Sequence, residues 1–182
     1  MRRSRPAAPG GSLVVMNTSP RGTPLSRIAP WIISRDTVAE IDFLGAVFGT
    51  VEQPGARIMN GDRVGHAEID LAGMAVLMFD SGPGWAPTPA HMRVYVDDVQ
   101  RTLRAATERG ARVVTEPTEL AFGDVVARFR DPQGHLWWVH QHVEDVDPTE
   151  LGRRFQQEAA VKAMLYVGDT LEQEMSRGVA GA

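Results

Sequence analysis

Val125-Val126-Ala127-Arg128-Phe129-Arg130-Asp131-Pro132-Gln133-Gly134-His135-Leu136-Trp137-Trp138-Val139-His140 reads as two strands joined by a tight turn. Pro132 presets φ at the first central position, Asp131 can accept a hydrogen bond from the turn backbone, and Gly134 tolerates positive φ. Trp137 and Trp138 are neighbours in the second strand, so their rings point to opposite faces. Trp138 is expected to look into whatever the protein encloses.

Working outward, residues 91–96 alternate as a strand, and Asp97 with Gln100 forms a capping box for a helix that Gly110 ends. Strands near 112–115, 124–130 and 135–140 complete this half. The half before it has the same order. Residues 28–34 form a strand with Pro30 near its beginning, and Asp36 caps a helix through Phe48 that stops at Gly49. Strands near 50–52, 64–71 and 74–79 follow. Cap and stop are 13 residues apart in both halves, which points to a structural duplication. The Pro- and Gly-rich stretch 81–90 links the halves.

Beyond His142, Asp147-Pro148-Thr149-Glu150 combines an N-cap, an N1 proline and an N3 glutamate. Leu151, Phe155, Ala159 and Val161 favour one side of the helix it starts, so that side should pack on the body or on a second subunit. A further short helix is expected over 169–175, and residues 178–182 look frayed.

Hydrophobic residues make up 43% of the 182, enough for a sizeable core, and there is no cysteine. Disulfides, thiolate metal sites and a cysteine nucleophile are therefore excluded. No run approaches the roughly 18 apolar residues of a membrane helix. Residues 1–27 carry five arginines and no acid, leaving 14 basic and 23 acidic side chains in the rest, a net −9. That acidic body argues against a nucleic-acid partner. The Arg-rich start reads as a disordered leader, since its apolar run at 12–16 is too short for a signal core. The protein is expected in the cytoplasm, with no membrane partner.

Three stretches carry a resemblance: Gly65-His66-Ala67-Glu68-Ile69, Tyr95-Val96-Asp97-Asp98-Val99 and Asp131-Pro132-Gln133-Gly134-His135-Leu136-Trp137. In this order, within a duplicated frame, they resemble the vicinal-oxygen-chelate superfamily of glyoxalases, bleomycin-resistance proteins and dioxygenases, in particular its PhnB-like branch. The resemblance implies an α+β fold of two βαβββ modules, whose curved mixed sheets surround a cavity. The modules are expected at 28–80 and 91–140 within a domain spanning 28–146, followed by helices over 147–182. It also implies a homodimer.

Metal-dependent members of that superfamily hold a divalent ion with inward His and Glu side chains. Aligned on Ile41-Asp42-Phe43, the four ligand positions fall at Ala29, Met78, His91 and Trp138, of which only His91 can coordinate. No cofactor is therefore expected, and a divalent metal is disfavoured. His66 and Glu68 share a strand face, either as a hydrogen-bonded pair or, with Asp80, as a relocated site.

In the same register Trp31, Ile33, Val76, Met78, Asp80, His91, Arg93, Tyr95, Leu136, Trp138 and His140 face inward. Such a lining suits a flat aromatic or hydrophobic organic ligand, and Trp31, Met78, Asp80, Arg93, Tyr95, Trp138 and His140 are its expected contacts. An inward Arg93 would need a partner, such as Asp80, Glu68 or an anionic ligand. Two functions remain open. One is a small-molecule binding protein with a degenerate metal site. The other is a glyoxalase-like lyase or isomerase, or a dioxygenase relative, with His66, Glu68 and His91 as catalytic candidates.

Overall fold

The computed structural model describes residues 28–177, so the leader expected over 1–27 and the frayed end over 178–182 lie outside the described residues. Asp36 starts the first helix as its pattern predicts. Its carboxylate accepts from the Ala39 N–H at 2.9 Å, and Gly49 ends the helix in the left-handed region at φ 69°. The first half runs β1 (Trp31–Ser34), α1 (Thr37–Phe48), β2 (Val51–Glu52), β3 (Ile58–Asn60), β4 (Arg63–Leu71) and β5 (Met74–Asp80). The second runs β6 (His91–Tyr95), α2 (Val99–Thr107), β7 (Arg112–Glu119), β8 (Asp124–Arg130) and β9 (Leu136–His142). Helices α3 (Pro148–Arg154) and α4 (Glu158–Ser176) close the chain.

Two mixed sheets result, ordered β1-β5-β4-β2, with β3 on β4, and β6-β9-β8-β7. Strand for strand the orders correspond, and in each the first strand pairs in parallel with the last. Both sheets turn one face to a single apolar core. Ile32, Ile69, Val76 and Met78 come from the first sheet, Phe129, Trp137 and Val139 from the second, and Ile41, Leu44, Val99 and Leu103 from the helices. No described helix is long and apolar enough to cross a membrane.

Three details differ from the sequence reading. The cap of α2 is Asp98, not Asp97: Asp98 Oδ1 accepts from the Arg101 N–H at 2.8 Å, and the first free amide, on Val99, donates to Gln141 Oε1. Starting the helix at Val99 aligns Val99, Leu103 and Ala106 with the core. The C-terminal helix pattern is also redistributed. The chain turns after Arg154, Phe155 and Val161 are exposed, and one 19-residue helix, α4, replaces the short one expected over 169–175.

The third difference concerns β5. Parallel pairing sets Ile32 beside Met78 and Ser34 beside Asp80, so Val76 and Met78 face the core and not the open side. Leu77 and Phe79 take the places expected for them beside Trp31 and Ile33. A one-residue slip exchanges the two faces of a strand. Asp80 caps α1 from the sheet: its carboxylate accepts the Thr37 N–H at 2.7 Å and the Val64 N–H at 2.6 Å. That use satisfies an amide which a helix start leaves without a partner.

Because both modules share this core, they should unfold together. Phe129 is fully buried, with its ring centroid 6.1 and 6.2 Å from those of Phe43 and Phe48 of α1. Phe129→Ala is expected to cost about 3–5 kcal/mol while leaving one cooperative transition in urea, followed by circular dichroism and by tryptophan fluorescence. Two separated transitions would show that the modules are independent.

Candidate functional site

The turn between β8 and β9 is built around the Asp131 carboxylate. Its Oδ1 accepts the Gln133 and His135 N–H groups, both at 2.9 Å, and its Oδ2 accepts Trp137 Nε1–H at 2.6 Å. His135 then reaches out of its own module. Its Nδ1 accepts the Ala90 N–H of the linker at 2.9 Å, and its Nε2 lies 3.1 Å from Ser34 Oγ of β1. Since the amide can only donate, the Nε2 carries the ring proton and donates to Ser34.

Glu40 of α1 lies against this turn, fully buried. Burial and the nearby Asp131 carboxylate push Glu40 up to about 9. Glu40 is therefore a neutral acid at pH 7, and neither of its carboxyl oxygens has a hydrogen-bond partner among the described residues. Burial also lowers His135, as do Arg130 and Arg35, against the opposing pull of Asp131. The donor atoms of Glu40, Asp131 and His135 lie within 4.8 Å of one another, as a metal site would require. The donor set does not fit one. Three N–H groups already use most of the Asp131 lone pairs, Glu40 is held in its neutral form, and the His135 Nε2 presents a proton where a ligand needs a lone pair.

The outer face of the first sheet is aromatic. Trp31 is 47% exposed and meets Phe79 edge-on at 5.1 Å and His66 at 5.8 Å; Trp85, from the linker, meets Phe79 at 6.2 Å. His66 Nε2 lies 3.1 Å from Glu68 Oε1, so the expected pair is made, beside Trp31.

The second sheet's outer face carries His91, Arg93 and Tyr95 of β6 in register with Leu136, Trp138 and His140 of β9. Asp124 gathers this face: it accepts from Tyr95 Oη at 3.1 Å, His140 Nδ1 at 3.0 Å and His142 Nδ1 at 3.1 Å. Burial tends to raise Asp124, but these three hydrogen bonds hold it below the usual carboxylate range. The His140 Nε2 is left buried, with no hydrogen-bond partner among the described residues. The sequence reading missed Asp124, although counting back from the turn pairs 130 with 136 and hence 124 with 142.

The predicted residues thus fall into two groups. Trp31, His66 and Glu68 share the first sheet; His91, Arg93, Tyr95, Trp138 and His140 share the second, which separates His91 from the other two catalytic candidates. Met78 and Asp80 belong to neither face. Arg93 is exposed, 5.5 Å above the Tyr95 ring, and so needs no buried partner. The buried guanidinium is that of Arg128, 3.7 Å from the centroid of Trp138. Of the superfamily's ligand positions, Met78 faces the core and Trp138 carries this guanidinium, so the residues present do not fit a metal there.

Residues 32–140, more than half of the chain, match the Glyoxalase-like domain family. The uncharacterized protein Rv0887c of Mycobacterium tuberculosis (strain ATCC 25618 / H37Rv) is 28% identical over 153 residues, covering 78% of this chain and 85% of its own. Among solved structures, TioX from Micromonospora sp. ML1 superposes with a TM-score of 0.54 at 25% identity, over 65% of this chain and 99% of its own. The fosfomycin resistance protein FosX from Listeria monocytogenes gives 0.51 at 17% identity, over 71% and 97%, and so shares the fold.

The protonated Glu40 has a consequence for stability. From the ordinary carboxylate value of 4.5 up to about 9, the folded protein binds a proton that the unfolded chain releases, so stability falls as pH rises through that window. Glu40→Gln fills the same space without that proton uptake. At pH 8 the variant should be more stable than the parent by about 1–3 kcal/mol, with the gap closing towards pH 4.5. Urea titrations at the two pH values check this, and a variant less stable at pH 8 contradicts it.

Proposed function

Since the chain belongs to the glyoxalase-like domain family, we propose that it binds a flat, apolar or aromatic organic molecule on the outer face of its first sheet. It acts there as a binding protein and not through a metal. The observation that carries this reading is the set of Trp31, Phe79 and Trp85, in which both half-exposed tryptophans stand edge-on to Phe79. Edge-on rings leave faces free for a planar guest, and each ring pair formed adds about 0.5–1.5 kcal/mol beyond the area it buries. His66 and Glu68, at the side of Trp31, supply a polar handle that orients a hydroxyl or amine of the guest.

The location of His91 on the other sheet weighs against a shared catalytic constellation with His66 and Glu68. On this reading the protein sequesters its ligand in the cytoplasm as a homodimer. Val161, Leu165 and Met175, exposed on α4, support an assembly, and the three quoted motifs favour the PhnB-like branch.

Titration with 1-naphthol, followed by quenching of tryptophan fluorescence, tests the reading. Saturable binding is expected, weakened about tenfold, or about 1.4 kcal/mol, by Phe79→Ala. His66→Ala should weaken 1-naphthol but leave naphthalene unchanged. Binding indifferent to Phe79, or no saturation at millimolar probe, overturns it.

A further inference from the structure

The outer face of the second sheet is not bare on its β7–β8 side. There Arg112, Arg128 and Arg130 stand on paired strands, Arg112 opposite Arg130 and Arg128 opposite Trp138, and α4 lies across them. The helix is seated almost entirely by polar contacts. Its Glu174 Oε1 receives Arg112 Nη2 at 2.8 Å and also Arg130 Nε. The carbonyl of Val167 receives Arg128 Nη1 at 2.7 Å, and Thr170 Oγ1 meets Thr115 Oγ1 at 2.8 Å. Among the described residues of the helix, only Val167 and Ala163 pack into a small apolar cluster with Leu120 and Val126. The apolar residues Val161, Leu165 and Met175 point the other way and are exposed.

The fit beneath the helix is incomplete in a specific way. Arg128 is 2% exposed and meets no carboxylate among the described residues, and its Nε is buried without a partner. Glu174 Oε2 is likewise buried and unpartnered. One oxygen and one guanidinium N–H therefore go unused, because a carboxylate tethered to the helix serves Arg112 and Arg130 and does not satisfy Arg128. Burial pulls the Arg128 guanidinium down to about 10, which still leaves it charged at neutral pH.

We propose that this face is a binding site for a small aromatic carboxylate, and that α4 is its built-in lid, with Glu174 standing in for the ligand. A free carboxylate is not held to the helix geometry and can engage Arg128 together with Arg112 and Arg130 in charge-assisted hydrogen bonds. Trp138, already stacked by the Arg128 guanidinium, offers its ring edge to the ligand's planar body. Ligand and Glu174 compete for the same donors, so binding lifts the C-terminal end of α4. The site is separate from the first-sheet face and does not rest on the reading given for it.

The test uses the full chain carrying Trp31→Ala, so that the first-sheet face does not contribute, with 1-naphthoate as probe and calorimetry as readout. Adding Glu174→Gln should tighten 1-naphthoate at least tenfold, and adding Arg128→Met to that variant should abolish the gain. The neutral 1-naphthylmethanol should gain nothing from Glu174→Gln. Hydrogen exchange supplies a second reading without touching the latch: in Trp31→Ala alone, 1-naphthoate should speed exchange in residues 170–176. An unchanged affinity in Glu174→Gln, an equal gain for the alcohol, or exchange that is unaltered or slowed overturns the proposal. A loss of 1-naphthol binding in Trp31→Ala, by contrast, bears only on the first-sheet reading.

Discussion

Three N–H groups converge on the buried carboxylate of Asp131, and the ring they orient, His135, is a polar contact that ties the second module to the first beside their shared core. A buried carboxylate costs several kcal/mol unless its lone pairs are used, and here the turn backbone and Trp137 Nε1 use them. Once the turn is set, His135 has one tautomer and one direction, towards Ser34 and away from solvent. Gly134 makes the geometry possible, since its φ of 97° is open to few other residues. Glu40 then faces a second acid in a buried interface, and its proton removes what would otherwise be a repulsion between like charges.

Much of this was legible in the residues. The caps at Asp36 and Asp147, the stop at Gly49 and the Asp-Pro-Gln-Gly-His turn are local devices, and local devices are written where they act. The repeated order of strands was legible for the same reason. What was not legible depends on partners distant in the chain. Val76, Met78 and Asp80 alternate correctly in either register, and only the parallel neighbour β1 decides which face is inward. Asp97 and Asp98 are equally good caps, and the core contacts of Val99, Leu103 and Ala106 choose between them. α4 defeats a reading by amphipathy outright, because the side it packs with is the less apolar one.

The two outer faces of a duplicated fold have diverged in chemistry. On the first, rings are exposed and the polar pair His66–Glu68 lies beside them. On the second, charge dominates: Asp124 gathers Tyr95, His140 and His142, and three arginines line the adjoining strands. Of the ligand positions that the resemblance implied, His91 and Trp138 lie on the second face, and Trp138 carries a guanidinium 3.7 Å from its ring.

Arg128 explains why α4 lies where it does. A guanidinium buried without a counter-ion is costly, and the Trp138 ring returns only part of that, on the order of 2 kcal/mol when desolvated. The remainder has to come from oxygen atoms, and the sheet offers Arg128 only Thr115 Oγ1 at 3.1 Å. The helix supplies the Val167 carbonyl, and with it Glu174 for the two neighbouring arginines. On this account the helix is recruited by charge more than by the small apolar cluster around Val167, which is why Val161, Leu165 and Met175 remain outside. A helix held in this way is displaced by whatever satisfies the same donors better, whereas one held by its apolar stripe would be displaced only by unfolding.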